Sequence, residues 1–112
     1  MNENPLVTVY IPTYNRLELL KRAVKSVLDQ DYSNIELIVV DDGSSDGTVD
    51  YLECVSQADQ RVRYFVNEVN SGACVSRNKA IWAEKGEFIT GLDDDDYFLN
   101  DRIIFQLFFA RG

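Results

Sequence analysis

The stretch Ile35–Glu53, "IELIVVDDGSSDGTVDYLE", can be read in two ways that lead to different folds. Counted from Asp42, Ser44 takes the third place, Asp46 the fifth, Gly47 the sixth, Val49 the eighth and Glu53 the twelfth, the spacing of an EF-hand calcium loop. An EF-hand needs a helix before that loop. The residues in front of it are "NIELIVV" (Asn34–Val40), a short, β-branched, apolar run that reads as a strand. A second hand to pair with it is also missing, because "DDDDYFLNDRII" (Asp93–Ile104) has no glycine at the sixth place. A calcium module over Asp42–Glu53 is therefore the alternative. The leading reading makes Asp42 a carboxylate at a strand end that accepts hydrogen bonds from an N–H-bearing ligand, with Gly43 permitting the turn.

Working outward, "LVTVYI" (Leu6–Ile11) reads as a buried strand closed by Pro12. Asn15 offers an N-cap with Glu18 three residues on, and Leu20, Ala23, Val24, Val27 and Leu28 follow at helical spacing. Ser44, Ser45 or Asp46 can cap a second helix through Val49, Leu52 and Val55, and "VRYFV" (Val62–Val66) is a third strand. A helix over Ala73–Lys85 ends at Gly86, and "EFITGL" (Glu87–Leu92) is a fourth strand. Strands alternating with helices predict an α/β fold, a mostly parallel sheet with helices on both faces. The closing "NDRIIFQLFFARG" (Asn100–Gly112) reads as a helix with apolar residues nearly all round. Its Ile103 to Phe109 surface exceeds the single stripe a surface helix needs, and is expected to meet further structure or to self-associate.

The 112 residues suit one domain with a core, and 46% hydrophobic with 27% charged residues suits a folded, soluble chain. A net charge of −8 argues against nucleic acid or an anionic membrane as partner. The absence of histidine excludes His-based acid/base chemistry and the usual zinc sites within these residues. Cys54 and Cys74 are far apart in sequence and read as reduced thiols of a cytoplasmic protein, with membrane association left to a longer parent. "MNENPLVTV" has neither the basic nor the apolar region of a signal peptide, and no apolar run approaches the ~20 residues of a membrane span.

Open parallel sheets bind ligands beyond the carboxyl ends of their strands. The residues directly after the strands are Pro12, Thr13, Tyr14, Asn15 and Arg16, then Asp41 and Asp42, then Asp93–Asp96. Four consecutive carboxylates repel one another, and a hard divalent cation relieves that repulsion; a solvated acidic turn is the bland alternative. In "NSGACVSRNKAI" (Asn70–Ile81), Gly72 allows close backbone approach and Arg77 either grips a phosphate or is an ordinary surface arginine. Lys79 reads as solvated. Tyr14, taken alone, reads as core.

"VTVYIPTYNR", "IELIVVDDGSSDGT", "NSGACVSRNKAI" and "GEFITGLDDDDYF" stand in the order and at about the separations found in the N-terminal half of family 2 glycosyltransferases, which the chain resembles from Leu6 to about Arg102. The resemblance implies a Rossmann-like GT-A half-domain and a nucleoside diphosphate sugar donor, with a UDP-sugar favoured. It implies that Pro12, Thr13 and Tyr14 line the base pocket, that Asp42 bonds the base while Asp41 supports the loop, and that Arg77 lies near the phosphates. Asp93 and Asp95 would be the two aspartates of a D-x-D signature holding Mn2+ or Mg2+, with Asp94 near the ribose or sugar. It further implies that residues 1–112 are the donor half of a longer, inverting enzyme. The acceptor site, for a glycan or other hydroxyl, and the catalytic base would lie in the remainder, so that no catalytic residue is expected within this chain and little transfer from it alone. A GT-A-like nucleotidyltransferase would instead carry a Gly-rich basic loop where this chain has "PTYNR", and a binding-only, self-associating domain is the third alternative.

Overall fold

The computed structural model describes residues 5–67, 88–95, 97 and 103. Along the chain these form strand β1 (Val7–Thr13), helix α1 (Leu17–Leu28), β2 (Ile35–Asp41), α2 (Thr48–Ala58), β3 (Val62–Val66) and β4 (Phe88–Gly91). The strands pair in parallel in the order β3-β2-β1-β4. The outcome is the α/β parallel sheet expected from the alternation of strand and helix patterns.

Every residue of β2 is buried, as expected of a mostly apolar central strand covered on both faces, and Glu36 and Asp41 are buried with it. Val7, Val9 and Ile11 of β1 and Ile35, Leu37 and Val39 of β2 point to one face, where they meet Leu20, Ala23, Val24 and Val27 of α1 and Leu52 of α2. Both described helices thus pack on the same face. Ile38 and Val40 are buried on the opposite face beside Tyr10 and Phe65, and the helix expected over 73–85 lies outside the described residues. On that second face Thr8 donates to Glu36 Oε1 at 2.8 Å, and Arg63 pairs with Glu36 Oε2 at 3.4 Å, so the buried carboxylate is satisfied.

Three expectations need correction, and one alternative falls away. Pro12 does not close β1, which continues to Thr13 and pairs Pro12 with Val40 and Thr13 with Asp41. Successive residues of β1 face alternate neighbours. The Tyr10 carbonyl accepts from Leu92 N–H on the β4 side, so Pro12 turns its hydrogen-less nitrogen to that same side, where β4 has already ended at Gly91. The strand therefore loses no ladder bond to the proline.

Asn15 is not the cap of α1. It sits at φ 51°, and the first helical N–H, that of Leu17, donates to Asp46 Oδ2 at 3.1 Å, so the cap comes from a different loop. The calcium alternative falls away, as the leading reading of Asp42 at a strand end requires: a strand precedes the loop, and Glu53 lies in α2. Asp42, Ser44 and Asp46 bond three different partners instead of converging. Finally, Ile103 is no part of an exposed association surface. Its side chain is buried in the main core and its N–H donates to Gln30 Oε1 at 3.0 Å; the other residues proposed for that surface lie outside those described.

Candidate functional site at the carboxyl ends of the strands

A cleft of about 300 Å³ opens at the carboxyl ends of β1, β2 and β4, lined by Pro12, Thr13, Tyr14, Arg16, Asp42, Asp93, Asp94 and Asp95. Parallel pairing explains the convergence. The register that sets Thr13 beside Asp41 and Tyr10 beside Gly91 brings all three strand ends to one rim. The fold thus gathers seven of the eight residues singled out from sequence, and Arg77, the eighth, lies outside the described residues. Tyr14 departs from its core reading: the residue is 42% exposed and lines the cleft.

The wall carrying Asp42 is built from two loops bound to each other. The Ser44 hydroxyl accepts from Asn15 N–H at 2.7 Å and donates to the buried Asp41 carboxylate, whose other oxygen accepts Ser44 N–H at 3.0 Å. In return, Asn15 Oδ1 accepts Ser45 N–H at 2.8 Å. Gly43 and Gly47 take φ near +90°, the region that makes glycine the natural residue for such turns. Asp46 then serves two helices at once. Oδ2 accepts Leu17 N–H at the start of α1, and Oδ1 accepts Thr48 N–H at 3.2 Å and Thr48 Oγ1–H at 2.5 Å at the start of α2. A carboxylate there also meets the positive ends of both helix dipoles. These hydrogen bonds, that from Thr48 Oγ1 foremost, hold the Asp46 pKa below the usual carboxylate value.

Asp42 itself is buried, and its Oδ1 accepts Asn67 Nδ2–H at 2.9 Å, while Asn67 N–H donates to the Asp41 carbonyl. Asn67 is a site neighbour missed from sequence. Its signal is its position: it comes directly after β3, as Asp42 comes directly after β2, so the same rim rule that singles out Asp42 applies to it.

The acidic wall is different in kind. Asp94 turns inward, 6% exposed; its Oδ2 accepts Thr13 Oγ1–H at 2.9 Å and its Oδ1 accepts Arg16 Nη1–H at 3.2 Å. Asp93 and Asp95 flank it and stay exposed to the cleft. The same Arg16 nitrogen lies 3.6 Å from Asp95 Oδ2. Arg22 donates to the Asp95 carbonyl at 2.8 Å and stacks 4.8 Å from the centre of the Tyr97 ring. Arg16 was not assigned a role from sequence, although a lone cation in one rim loop, with a run of aspartates at the end of another strand, is a readable signal.

Among the described residues no three acidic or thiol side chains form a ready-made metal cage. The donor set nonetheless fits a hard cation. Mg2+ and Mn2+ take oxygen ligands and are held by one or two carboxylates together with substrate phosphates and water, and Asp93 and Asp95 present such carboxylates to the cleft. Among the described residues no helix is long and apolar enough to cross a membrane.

Comparison with known proteins agrees with this geometry. The chain is 48% identical over 103 residues to an Escherichia coli protein described as a putative colanic acid biosynthesis glycosyl transferase, WcaA, covering 92% of this chain and 37% of that protein. Among solved structures, S. aureus TarS 1-349 in complex with UDP-GlcNAc superposes with a TM-score of 0.85 at 30% identity, over 94% of this chain and 31% of TarS 1-349. A Pyrobaculum calidifontis mannosyltransferase, PcManGT, in complex with GDP-Man and Mn2+, gives 0.82 at 26% identity over 91% of this chain and 31% of its own. The chain thus spans about a third of the length of each. Residues 8–107 match the model of glycosyl transferase family 2, and the chain belongs to that family.

Proposed function

We propose that this chain is the donor-binding half of an enzyme that transfers a sugar from a nucleoside diphosphate to an acceptor hydroxyl with inversion. The observation that carries it is the convergence on one rim of an exposed aromatic ring, a buried carboxylate and a run of aspartates. Tyr14 stacks on the base, Pro12 and Thr13 shape its pocket, and Asp42, held by Asn67, accepts a hydrogen bond from a base N–H. Asp93 and Asp95 hold Mn2+ or Mg2+, Asp94 lies toward the ribose or sugar, and Arg77 serves the phosphates. The cation, when bound, offsets charge on the departing diphosphate. The acceptor oxygen attacks the anomeric carbon as its bond to the diphosphate breaks. The diphosphate leaves with the electron pair, and the hydroxyl proton passes to a carboxylate base supplied by the rest of the enzyme. The nucleotide sugars bound by TarS and PcManGT, and the Mn2+ of the latter, support this reading.

Calorimetric titration of UDP, then of GDP, with Mn2+ or with EDTA, tests the proposal on the wild type and Asp95→Ala. Nucleotide binding should require the metal and weaken at least about tenfold in the variant, since even partners outside the ligand shell are worth that much. Binding that survives both EDTA and the substitution would overturn the metal's role. Failure of both nucleotides to bind the wild type would overturn the donor site itself.

A further inference from the structure

Two arginines of the α1 region reach the acidic loop, and they hold it differently. Arg22 bonds a backbone carbonyl and a ring. Arg16 places one guanidinium nitrogen between two carboxylates, within hydrogen-bond reach of Asp94 at 3.2 Å and in looser ion-pair contact with Asp95 at 3.6 Å. Its side chain is 52% exposed, so it is not locked there by packing, whereas Asp94 has a second anchor in Thr13. Asp95 is the exposed partner and the one a cation would draw on.

We infer that Arg16 is a tethered counter-cation of the acidic loop, which occupies the Asp95 carboxylate until a divalent cation displaces it while its bond to Asp94 persists. The inference rests on Asp93 and Asp95 being the metal-holding residues proposed above. Physically, a fixed positive charge a few ångströms from a divalent ion opposes its binding, yet it also keeps adjacent carboxylates from repelling one another when no metal is present.

The test uses Mn2+ alone, without nucleotide or acceptor, followed by loss of the free-ion electron paramagnetic resonance signal. Removing one opposing charge at this range should tighten Mn2+ binding by Arg16→Gln about fivefold to tenfold. Arg16→Lys, which keeps the charge, should stay within about twofold of the wild type. Arg22→Gln removes equal charge from a helical neighbour of the same loop and should tighten binding less. Unchanged or weaker binding by Arg16→Gln, or an equal gain in both glutamine variants, would overturn the role of Arg16 and leave the metal site standing. No Mn2+ binding by any of the proteins would overturn the metal site, and the counter-cation with it. In the unaltered protein, Mg2+ titration should shift the Arg16 Nε–H resonance, and a resonance that does not move at saturating Mg2+ would equally overturn the inference.

Discussion

The two walls of the cleft differ in what fixes them. On the Asp42 side, loops 14–16 and 42–47 are tied by reciprocal hydrogen bonds between Asn15, Ser44, Ser45 and Asp46, and most of these bonds satisfy backbone N–H groups. On the acidic side, two arginines and Thr13 hold a loop whose outer carboxylates remain in solvent. The first wall is set by the fold before any ligand arrives. The second keeps charge available, held by contacts that can be exchanged. The proposed function, with a rigid planar base on one side and a variable metal and phosphate shell on the other, would call for this division.

The largest effect is expected from breaking the first wall at Asp46. Asp46→Ala uncaps α1 and α2 together, and with one cap worth about 0.5–2 kcal/mol the loss should reach about 2–3 kcal/mol in urea unfolding. A loss no larger than one ordinary cap would show that the two loops are not joined through this residue. The effect also carries a pH signature. The folded pKa of Asp46 lies below the ordinary value of 3.8. Its stabilisation is therefore complete above the unfolded pKa and is lost as pH falls through the lower folded value. The stability gap between wild type and Asp46→Asn should hold at neutral pH and narrow only in the acid range below about pH 4.

Next comes Asn15, whose φ of 51° is tolerated by asparagine and costs a β-carbon without a local polar group about 1 kcal/mol. Asn15→Ala also loses the bond to Ser45 and should destabilise by about 1–2 kcal/mol. Asn15→Gly relieves the backbone and should cost visibly less. Equal losses would mean that the side-chain bond alone matters and that the conformation carries no strain.

Most of the sheet was legible in sequence because β-branched runs of strand length sit between turn residues, and the rim emerged from the residues at the end of each strand. Two local patterns point away from the real contacts. Asn15 with Glu18 looks like a local cap, but Asp46, far along the chain in another loop, takes the N–H of Leu17. Asp42, Ser44 and Asp46 look like a calcium series because their spacing is local, while their partners Asn67, Asn15 and Leu17 are distant. Pro12 ends a strand in most contexts, and only the shorter reach of β4 makes it harmless here. Sequence spacing can expose bonds within a loop, such as Ser44 to Asp41 and Thr48 to Asp46, but not the bonds that join one loop to another. Asn67 and Arg16 were within reach of the same rim rule: one directly follows β3, and the other is the cation of the loop after β1.

The smallest effect on stability sharpens the contrast most. Arg22 is exposed; it donates to one backbone carbonyl and rests on a half-exposed ring, contacts that solvent screens and water can replace. Arg22→Ala should therefore cost less than about 1 kcal/mol in urea unfolding. Its consequence should be local: amide hydrogen exchange of Asp95 and Tyr97 should accelerate severalfold, while that of β1 and β2, which open only with the whole fold, should not change. A stability loss comparable to that of Asp46→Ala would make the acidic loop as integral to the fold as the interlocked loops opposite. The two walls would then be one rigid unit, and cation binding would have to occur without any exchange of the contacts that hold the aspartates.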